Sequence, residues 1–367
     1  MTADEAAMTD LPSGIEARFI KTANGLRVHC LEAAGGTRGT LLLLHGFPEL
    51  AFSWRHLMPI LAAEGYRVIA PDQRGYGRTT GWTVGYDVDL TEFGMINLVR
   101  DQVALLAALG IDHVDGVIGH DFGSPVAAWC ALIRPDLFQA AICMSAPFAG
   151  PPEWAVAEDP IHDDLSALTP PRRHYQWWYS DGGANDDMMS APGGLPWFLR
   201  AYFHCKSADW PDNRPYRLSG WTAEALAEMP RYYIMDDGVG MAATALAMAP
   251  DDDRCDWLTA ADLAVYADEY GRTGFQGGLN WYRSTTSATG PAELRLYAGR
   301  RIEVPTAFIG GASDWGVYQM PGALETMTGE ACADYRGTTL IDGAGHWVQQ
   351  EQPAKTAKAV LSFLQGL

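Results

Sequence analysis

Val114-Asp115-Gly116-Val117-Ile118-Gly119-His120-Asp121-Phe122-Gly123-Ser124-Pro125-Val126-Ala127-Ala128-Trp129-Cys130-Ala131-Leu132-Ile133 reads as a strand, a sharp turn and a helix in immediate succession. Residues 114–118 form a short apolar run of strand length, and residues 125–133 read as a buried helix. Between them, Gly119-His120-Asp121-Phe122-Gly123 has the small-x-nucleophile-x-small form of a turn that presents one side chain at its apex, with aspartate in that position. The flanking glycines allow the close approach of strand and helix that such a strained turn requires. Taken alone, the pentapeptide has a second reading, an ordinary turn in which Asp121 caps the helix that follows. As a nucleophile, an aspartate attacks carbon and becomes an ester, so its partners elsewhere in the chain decide between the two readings.

Working outward, strand and helix signals alternate on both sides of this stretch. Residues 16–21 and 26–31 flank Asn24-Gly25, a tight hairpin signal, so the sheet is expected to begin antiparallel. Then come a strand at 40–44, a helix around 54–64, a strand at 68–70, a helix over 90–109, and, after the elbow, a strand at 140–144. The pattern resumes with a strand at 304–309, a helix near 322–327, a strand at 338–341 and a final helix over 353–364. This alternation predicts an α/β fold with a mostly parallel, doubly wound sheet. From 150 to 290 the pattern changes to helical segments broken by Pro, Gly and Asp, with Trp and Tyr throughout, which predicts an inserted helical cap between core segments 1–149 and 291–367. Pro151-Pro152 and Gly290-Pro291 mark its limits, Ser180 to Asp187 reads as its mobile loop, and residues 1–14 read as a loose tail.

Composition narrows the function classes. The 367-residue chain carries 45 acidic and 26 Lys or Arg residues, a formal net charge of −19, with acidic clusters at Asp186-Asp187, Asp236-Asp237 and Asp251-Asp252-Asp253. A field of that sign repels phosphate backbones and anionic membranes, which leaves neutral or apolar small molecules as partners. No apolar run has the length of a membrane span. Six cysteines, at 30, 130, 143, 205, 255 and 332, form no Cys-x-x-Cys pair and read as small buried residues of a reducing compartment. The amino terminus has no secretory pattern, so a cytoplasmic location is expected.

An aspartyl ester needs a base to direct water at it and an acid to orient the base. Gly343-Ala344-Gly345-His346-Trp347 places His346 in a loop after a strand, where ligands bind in a doubly wound sheet. Asp314 in Gly310-Gly311-Ala312-Ser313-Asp314-Trp315 follows another strand and lies between Asp121 and His346 in chain order. Its plainer reading is an Asx-turn, and that of His346 an exposed loop residue. The water attack also needs backbone N–H groups aimed at the developing oxyanion. Leu41-Leu42-Leu43-Leu44-His45-Gly46-Phe47-Pro48-Glu49 ends a buried strand in a turn, so the N–H groups of Phe47 and Phe122 are the candidates, Pro48 having none.

His45-Gly46-Phe47-Pro48-Glu49, Asp72-Gln73-Arg74-Gly75-Tyr76-Gly77, the Asp121 pentapeptide and Gly345-His346-Trp347 together resemble the epoxide hydrolases of the α/β-hydrolase fold. The resemblance covers nearly the whole chain after the tail. It implies that a small apolar epoxide becomes a vicinal diol without metal or organic cofactor, and that two cap tyrosines hold the epoxide oxygen. Gly278-Leu279-Asn280-Trp281-Tyr282-Arg283 matches one tyrosine motif, giving Tyr282, and His174-Tyr175-Gln176 the other, giving Tyr175, with Tyr179 as its alternative. Tyrosines more often pack than catalyse. Phe122 stands where many relatives carry Trp, and Ser124 where a third glycine is common. Haloalkane dehalogenases are similar too, but they hold halide partly with an indole N–H directly after the nucleophile, and fluoroacetate dehalogenases usually place arginine there. A catalytically idle binder on the same scaffold is the rival from another class; a homo-oligomer is compatible with all of these readings. For catalysis, protonation of His346 at low pH and ionisation of a tyrosine near ~10 predict a two-limbed pH profile.

Overall fold

The computed structural model describes residues 11–155, 159–251 and 254–367. Its strands are β1 (Ile15–Lys21), β2 (Arg27–Ala33), β3 (Gly39–Leu44), β4 (Tyr66–Pro71), β5 (Gly116–His120), β6 (Ala141–Met144), β7 (Arg172–His174), β8 (Ile234–Asp236), β9 (Thr306–Gly311) and β10 (Tyr335–Ile341). Eight of them form one sheet in the order β1-β2-β4-β3-β5-β6-β9-β10. The β1–β2 and β2–β4 pairs are antiparallel and the remaining pairs parallel. The α/β fold and its antiparallel beginning are therefore as expected.

The apolar run of β3 shows why the sheet is covered on both faces. Side chains alternate across a strand, so Leu41 and Leu43 face one way and Leu42 and Leu44 the other. The first pair joins a cluster with Met58, Leu61, Val360 and Leu364, and the second a cluster with Leu98, Leu105 and Val126. Helices Met58–Ala63 and Pro353–Gln365 thus cover one face, and Met95–Leu109 and Gly123–Ile133 the other. All four leucines are completely buried, each stabilising the fold by about 1.5–3 kcal/mol relative to exposure.

The chain runs from β3 to β4 on one side and then crosses to β5 on the other. That reversal opens a crevice beyond the carboxyl ends of β3 and β5, the place where doubly wound sheets bind ligands. Leu44 pairs with Gly119, so the turns that follow, carrying Phe47 and Asp121, emerge side by side. Between β6 and β9 the chain leaves the sheet and builds a mostly helical layer.

Local departures from the expected elements have identifiable causes. The helix expected over 54–64 divides into a 3₁₀ turn, Ala51–Trp54, and a helix, Met58–Ala63, that starts with Pro59 in its first turn. That expected over 90–109 is interrupted at Gly94, which is extended (φ −69°, ψ 152°), between a 3₁₀ turn and Met95–Leu109. The antiparallel ribbon of β7 and β8 was not foreseen, since three-residue strands are too short to show a period. The segment read as a mobile loop is tied down: Asp181 pairs with Arg173, Ser180 Oγ lies 2.8 Å from Thr286 Oγ1, and a helix starts at Ala184. Of the expected tail, residues 1–10 lie outside the described residues, as do Asp252 and Asp253 of the acidic triple.

Candidate active site

Asp121 sits at the apex of the turn between β5 and helix Gly123–Ile133 with φ +53°, a conformation that costs a non-glycine residue energy and persists only where the surroundings enforce it. The enforcement is visible in the glycines. A Cβ on Gly119 would stand 1.9 Å from the Gly123 carbonyl oxygen, and one on Gly123 would stand 2.2 Å from that of Leu44. The capping alternative fails on geometry, because Phe122 occupies the N-cap position and no side chain caps the helix. The Asp121 carboxylate instead accepts the backbone N–H of Phe47 at Oδ1, 2.9 Å, and faces Nε2 of His346 at Oδ2, 3.2 Å. Close approach of the two turns again requires a glycine, since a Cβ on Gly46 would lie 2.4 Å from the carboxylate.

His346 and Asp314 are brought to the same point from the ends of β10 and β9. His346 Nδ1 lies 3.1 Å from Asp314 Oδ1 and 2.8 Å from Ser145 Oγ, while Ser145 donates to Asp314 Oδ2 at 2.6 Å. Neutral His346 therefore keeps its proton on Nδ1 and turns the Nε2 lone pair toward Asp121. Nε2 is buried and has the Asp121 carboxylate 3.2 Å away. Asp314 also accepts the Gly316 N–H at 2.7 Å, so the turn reading and the partner reading hold together. The His346 loop is clamped by Glu351, whose carboxylate accepts the N–H groups of Gly345 and Trp347 on either side of the histidine, at 2.9 and 3.0 Å.

Electrostatics separates the three groups. Burial alone would raise the Asp121 carboxyl, but His346, Lys206 and His120 outweigh it and hold it well below the ordinary carboxylate range. Asp314 is likewise lowered, burial being overcome by His346 and by the Ser145 and Gly316 hydrogen bonds. For His346, burial pulls downward, yet Asp314 and Asp121 prevail against it and against Lys206, leaving the imidazole raised to about 9. The resting site is thus an imidazolium between two carboxylates.

Several residues of this site carried no signal that sequence reasoning used. His120 hydrogen-bonds the His346 carbonyl through Nε2, 2.7 Å, and meets Glu49 Oε2 through Nδ1, 2.5 Å; Glu49 also accepts from Gly46 N and Gln349 Nε2. Glu49 and His120 both lie inside motifs quoted above, where only the backbone or the neighbouring side chain drew attention. Ser145, at φ +68°, follows β6 in no motif at all. Lys206, 2% exposed at the end of helix Leu195–Lys206, holds its ammonium 4.8 Å from the ring centre of Tyr233 and 5.1 Å from that of Tyr202, and its carbonyl accepts the His346 N–H.

Above Asp121 lies a cavity of about 380 Å³ lined largely by apolar groups, among them Phe122, Trp129, Phe148 and Leu294. Tyr175 and Tyr282 line it as well. Burial pushes both phenols well above the ordinary tyrosine value, and the negative charge of Asp121 pushes them further. An alkaline limb near ~10 is therefore displaced upward, which corrects the expectation drawn from free tyrosine. Tyr175 OH donates to Gln319 Oε1 at 3.1 Å and accepts from Gln176 Nε2 at 3.2 Å. Tyr179 lies deeper, fully buried with its hydroxyl 2.8 Å from that of Tyr202, and does not reach the cavity. A larger groove of about 670 Å³ runs along β10 and helix Pro353–Gln365 but contains none of these residues.

Tyr282 is carried by helix Gln276–Thr286, whose first turn rests directly on the core. Cβ atoms on Gly277 and Gly75 would each collide with the other's backbone, at 2.0 and 2.6 Å, and Trp281 Nε1 donates to the Arg74 carbonyl at 2.9 Å. The Asp72–Gly77 motif thus acts as the seat of the helix rather than as part of the chemistry.

Comparison with known proteins identifies the family of the chain and its fold. A family model described as the α/β-hydrolase fold matches residues 39–169. Epoxide hydrolase B of Mycobacterium tuberculosis is 33% identical over 95% of this chain and 98% of its own length. Epoxide hydrolase from Caballeronia sordidicola is 29% identical over 97% and 95%. Among solved structures, an epoxide hydrolase from an endophytic Streptomyces superposes with a TM-score of 0.79 at 31% identity, covering 97% of this chain and 96% of that one. Potato (Solanum tuberosum) epoxide hydrolase I gives 0.73 at 31%, covering 96% and 100%.

Proposed function

The chain belongs to the epoxide hydrolases of the α/β-hydrolase fold, and from that premise we propose that it converts a small apolar epoxide to a vicinal diol through an ester on Asp121. The observation that carries the reading is the setting of the Asp121 carboxylate: ionised, held between Phe47 N–H and His346 Nε2, and open to an apolar cavity that Tyr175 and Tyr282 also line.

Tyr282, and Tyr175 once its hydroxyl turns from Gln319, hydrogen-bond the epoxide oxygen, and Asp121 attacks a ring carbon; the C–O bond breaks, a tyrosine hydroxyl gives its proton to the alkoxide, and the proton released by the His346 imidazolium, by way of solvent, restores the phenol. Neutralising Asp121 as an ester removes one of the two carboxylates that keep His346 protonated, so the imidazole becomes a base. Oriented by Asp314, it takes a proton from water, which attacks the ester carbonyl while the N–H groups of Phe47 and Phe122 stabilise the oxyanion. The diol then leaves and Asp121 is regenerated. No step requires a metal or organic cofactor.

The site is poorly suited to halide. The Phe122 side chain carries no N–H, and the indole N–H of Trp281 is committed to the Arg74 carbonyl. Intact chemistry at Asp121, Asp314 and His346 also argues against an idle binder. We take residues 150–290 as the cap and 1–149 with 291–367 as the core, and place the protein in the cytoplasm. Six unpaired cysteines support that placement, and among the described residues no helix is long and apolar enough to cross a membrane. Nothing in the reading requires nucleic acid, and a homo-oligomer remains compatible with it.

Purified protein is assayed with styrene oxide and with short haloalkanes. Diol release is the expected result, and halide release without diol overturns the proposal. His346→Gln should accumulate ester, seen in intact-mass spectra as an increase equal to the mass of the epoxide; steady turnover at the wild-type rate would sink the mechanism.

A further inference from the structure

The space around Asp121 and Tyr282 is unequal. Two sets of rings pack on Tyr282. One is Phe122, centroid distance 5.1 Å, and Tyr175, 5.9 Å, which line the cavity. The other comprises Phe47 at 5.6 Å and Tyr179 at 4.9 Å, which do not. Behind this second set the packing continues without a gap: Phe47 meets Phe275, and Tyr179 hydrogen-bonds Tyr202. Phe47, Tyr179 and Phe275 have no accessible surface at all, and Tyr202 has 1%. A void able to admit even one water beside these rings would have exposed them, so this flank is solid. The cavity extends only the other way, past Trp129 and Phe148 toward Leu294, Trp221 and Met320, the last of which is 48% exposed at the mouth. The cavity as a whole, about 380 Å³, has room for a phenyl ring or an alkyl chain.

We propose that the site selects epoxides with all their bulk on one ring carbon, neutral terminal oxiranes bearing an aryl or alkyl group. The substituent occupies the open arm and the unsubstituted CH₂ faces the filled flank of Phe47, Tyr179 and Tyr202. This rests on the epoxide-opening reading and adds the substrate class to it. The charge of the arm supports the neutral substituent. Among the described residues Asp121 is the one ionised side chain lining the cavity, and no Lys or Arg is present to receive an anion. The His174 imidazole there is held neutral, lowered by burial to about 3. Substituents on both ring carbons, in trans, need room on two flanks, and a packed core refuses even one added methyl at a cost felt in the rate.

The test compares kcat/KM for styrene oxide and trans-β-methylstyrene oxide, which differ by one methyl on the second ring carbon, with trans-stilbene oxide as the extreme. The expected result is that the methyl lowers kcat/KM by about 100-fold or more and that stilbene oxide is turned over more slowly still. Values for styrene oxide and its β-methyl derivative within tenfold of each other overturn the assignment while leaving epoxide opening intact. No diol from any of the three overturns the underlying activity instead. Tyr179→Ala, with folding checked by circular dichroism, should narrow the ratio at least tenfold by opening the flank; an unchanged ratio in the folded variant counts against the wall. Should that variant not fold, the wild-type ratio alone decides.

Discussion

The floor and the roof of the cavity are held in place by different means. On the floor, Asp121, His346 and Asp314 project from turns at the ends of β5, β10 and β9, and short, directional hydrogen bonds fix each of them, many to backbone N–H groups. The roof is aromatic: Tyr282 meets Phe47, Phe122 and Tyr175 edge to face and Tyr179 at a tilt, and ring packing rather than hydrogen bonding sets its position. A bonded floor tolerates little change in chemistry, whereas a packed roof tolerates little change in volume. The two regions should therefore respond to substitution in different ways.

The largest effect belongs to the floor. Asp121→Ala removes the nucleophile, and diol formation should fall by at least about 10⁴-fold, to the level of whatever binding alone achieves. On the roof, Tyr282→Phe and Tyr175→Phe keep volume and delete one hydroxyl; each should slow ester formation in single-turnover experiments by about 100-fold. The double variant should lose less than the product of the two, since both act on one oxygen. A third experiment sharpens the contrast through pH. Ester hydrolysis needs neutral His346, so its rate rises with pH and is lost as pH falls through the histidine's pKa. In the free protein that value is raised to about 9, partly by Asp121; in the ester the Asp121 charge is gone, and the limb seen for ester decay should lie below that of the free protein. Lys206 opposes protonation of His346, so Lys206→Met should move the same limb to higher pH and Lys206→Arg restore it, a displacement that a purely structural role would not produce. The smallest effect is on stability. Tyr179→Phe leaves the buried hydroxyl of Tyr202 without its partner and should cost about 1–3 kcal/mol in denaturant unfolding.

How much could be read in advance follows the same division. Strand-length apolar runs and the glycines around Asp121 reveal the floor, because a strand end in a doubly wound sheet has one place to go. Asp314 and His346 were legible as loop residues after strands for that reason. Ser145, Glu49 and His120 act on the site through contacts that join segments far apart in the chain, such as Ser145 with Asp314 and His120 with His346, and no local pattern announces them. The roof is harder. Tyr175 and Tyr179 are four residues apart on one short helix and so share a face. Depth separates them, and depth depends on Tyr202, which the sequence places in another helix, Leu195–Lys206. Lys206 was invisible because nothing in a lone lysine after a cysteine predicts an aromatic cage.

The meeting of Gly75 with Gly277 bears on modularity. The proposed cap, residues 150–290, reads as an insertion spliced into the sheet between β6 and β9. Here the core loop and the cap helix touch backbone to backbone, with no side chain between them to yield. A cap grafted from a relative would seat only if donor and acceptor both kept a glycine at this seam. One added methyl on either side would lift helix Gln276–Thr286, and Tyr282 with it, away from the carboxylate below. Recombination between such proteins should therefore respect that pair as a unit of inheritance, however freely the rest of the cap diverges.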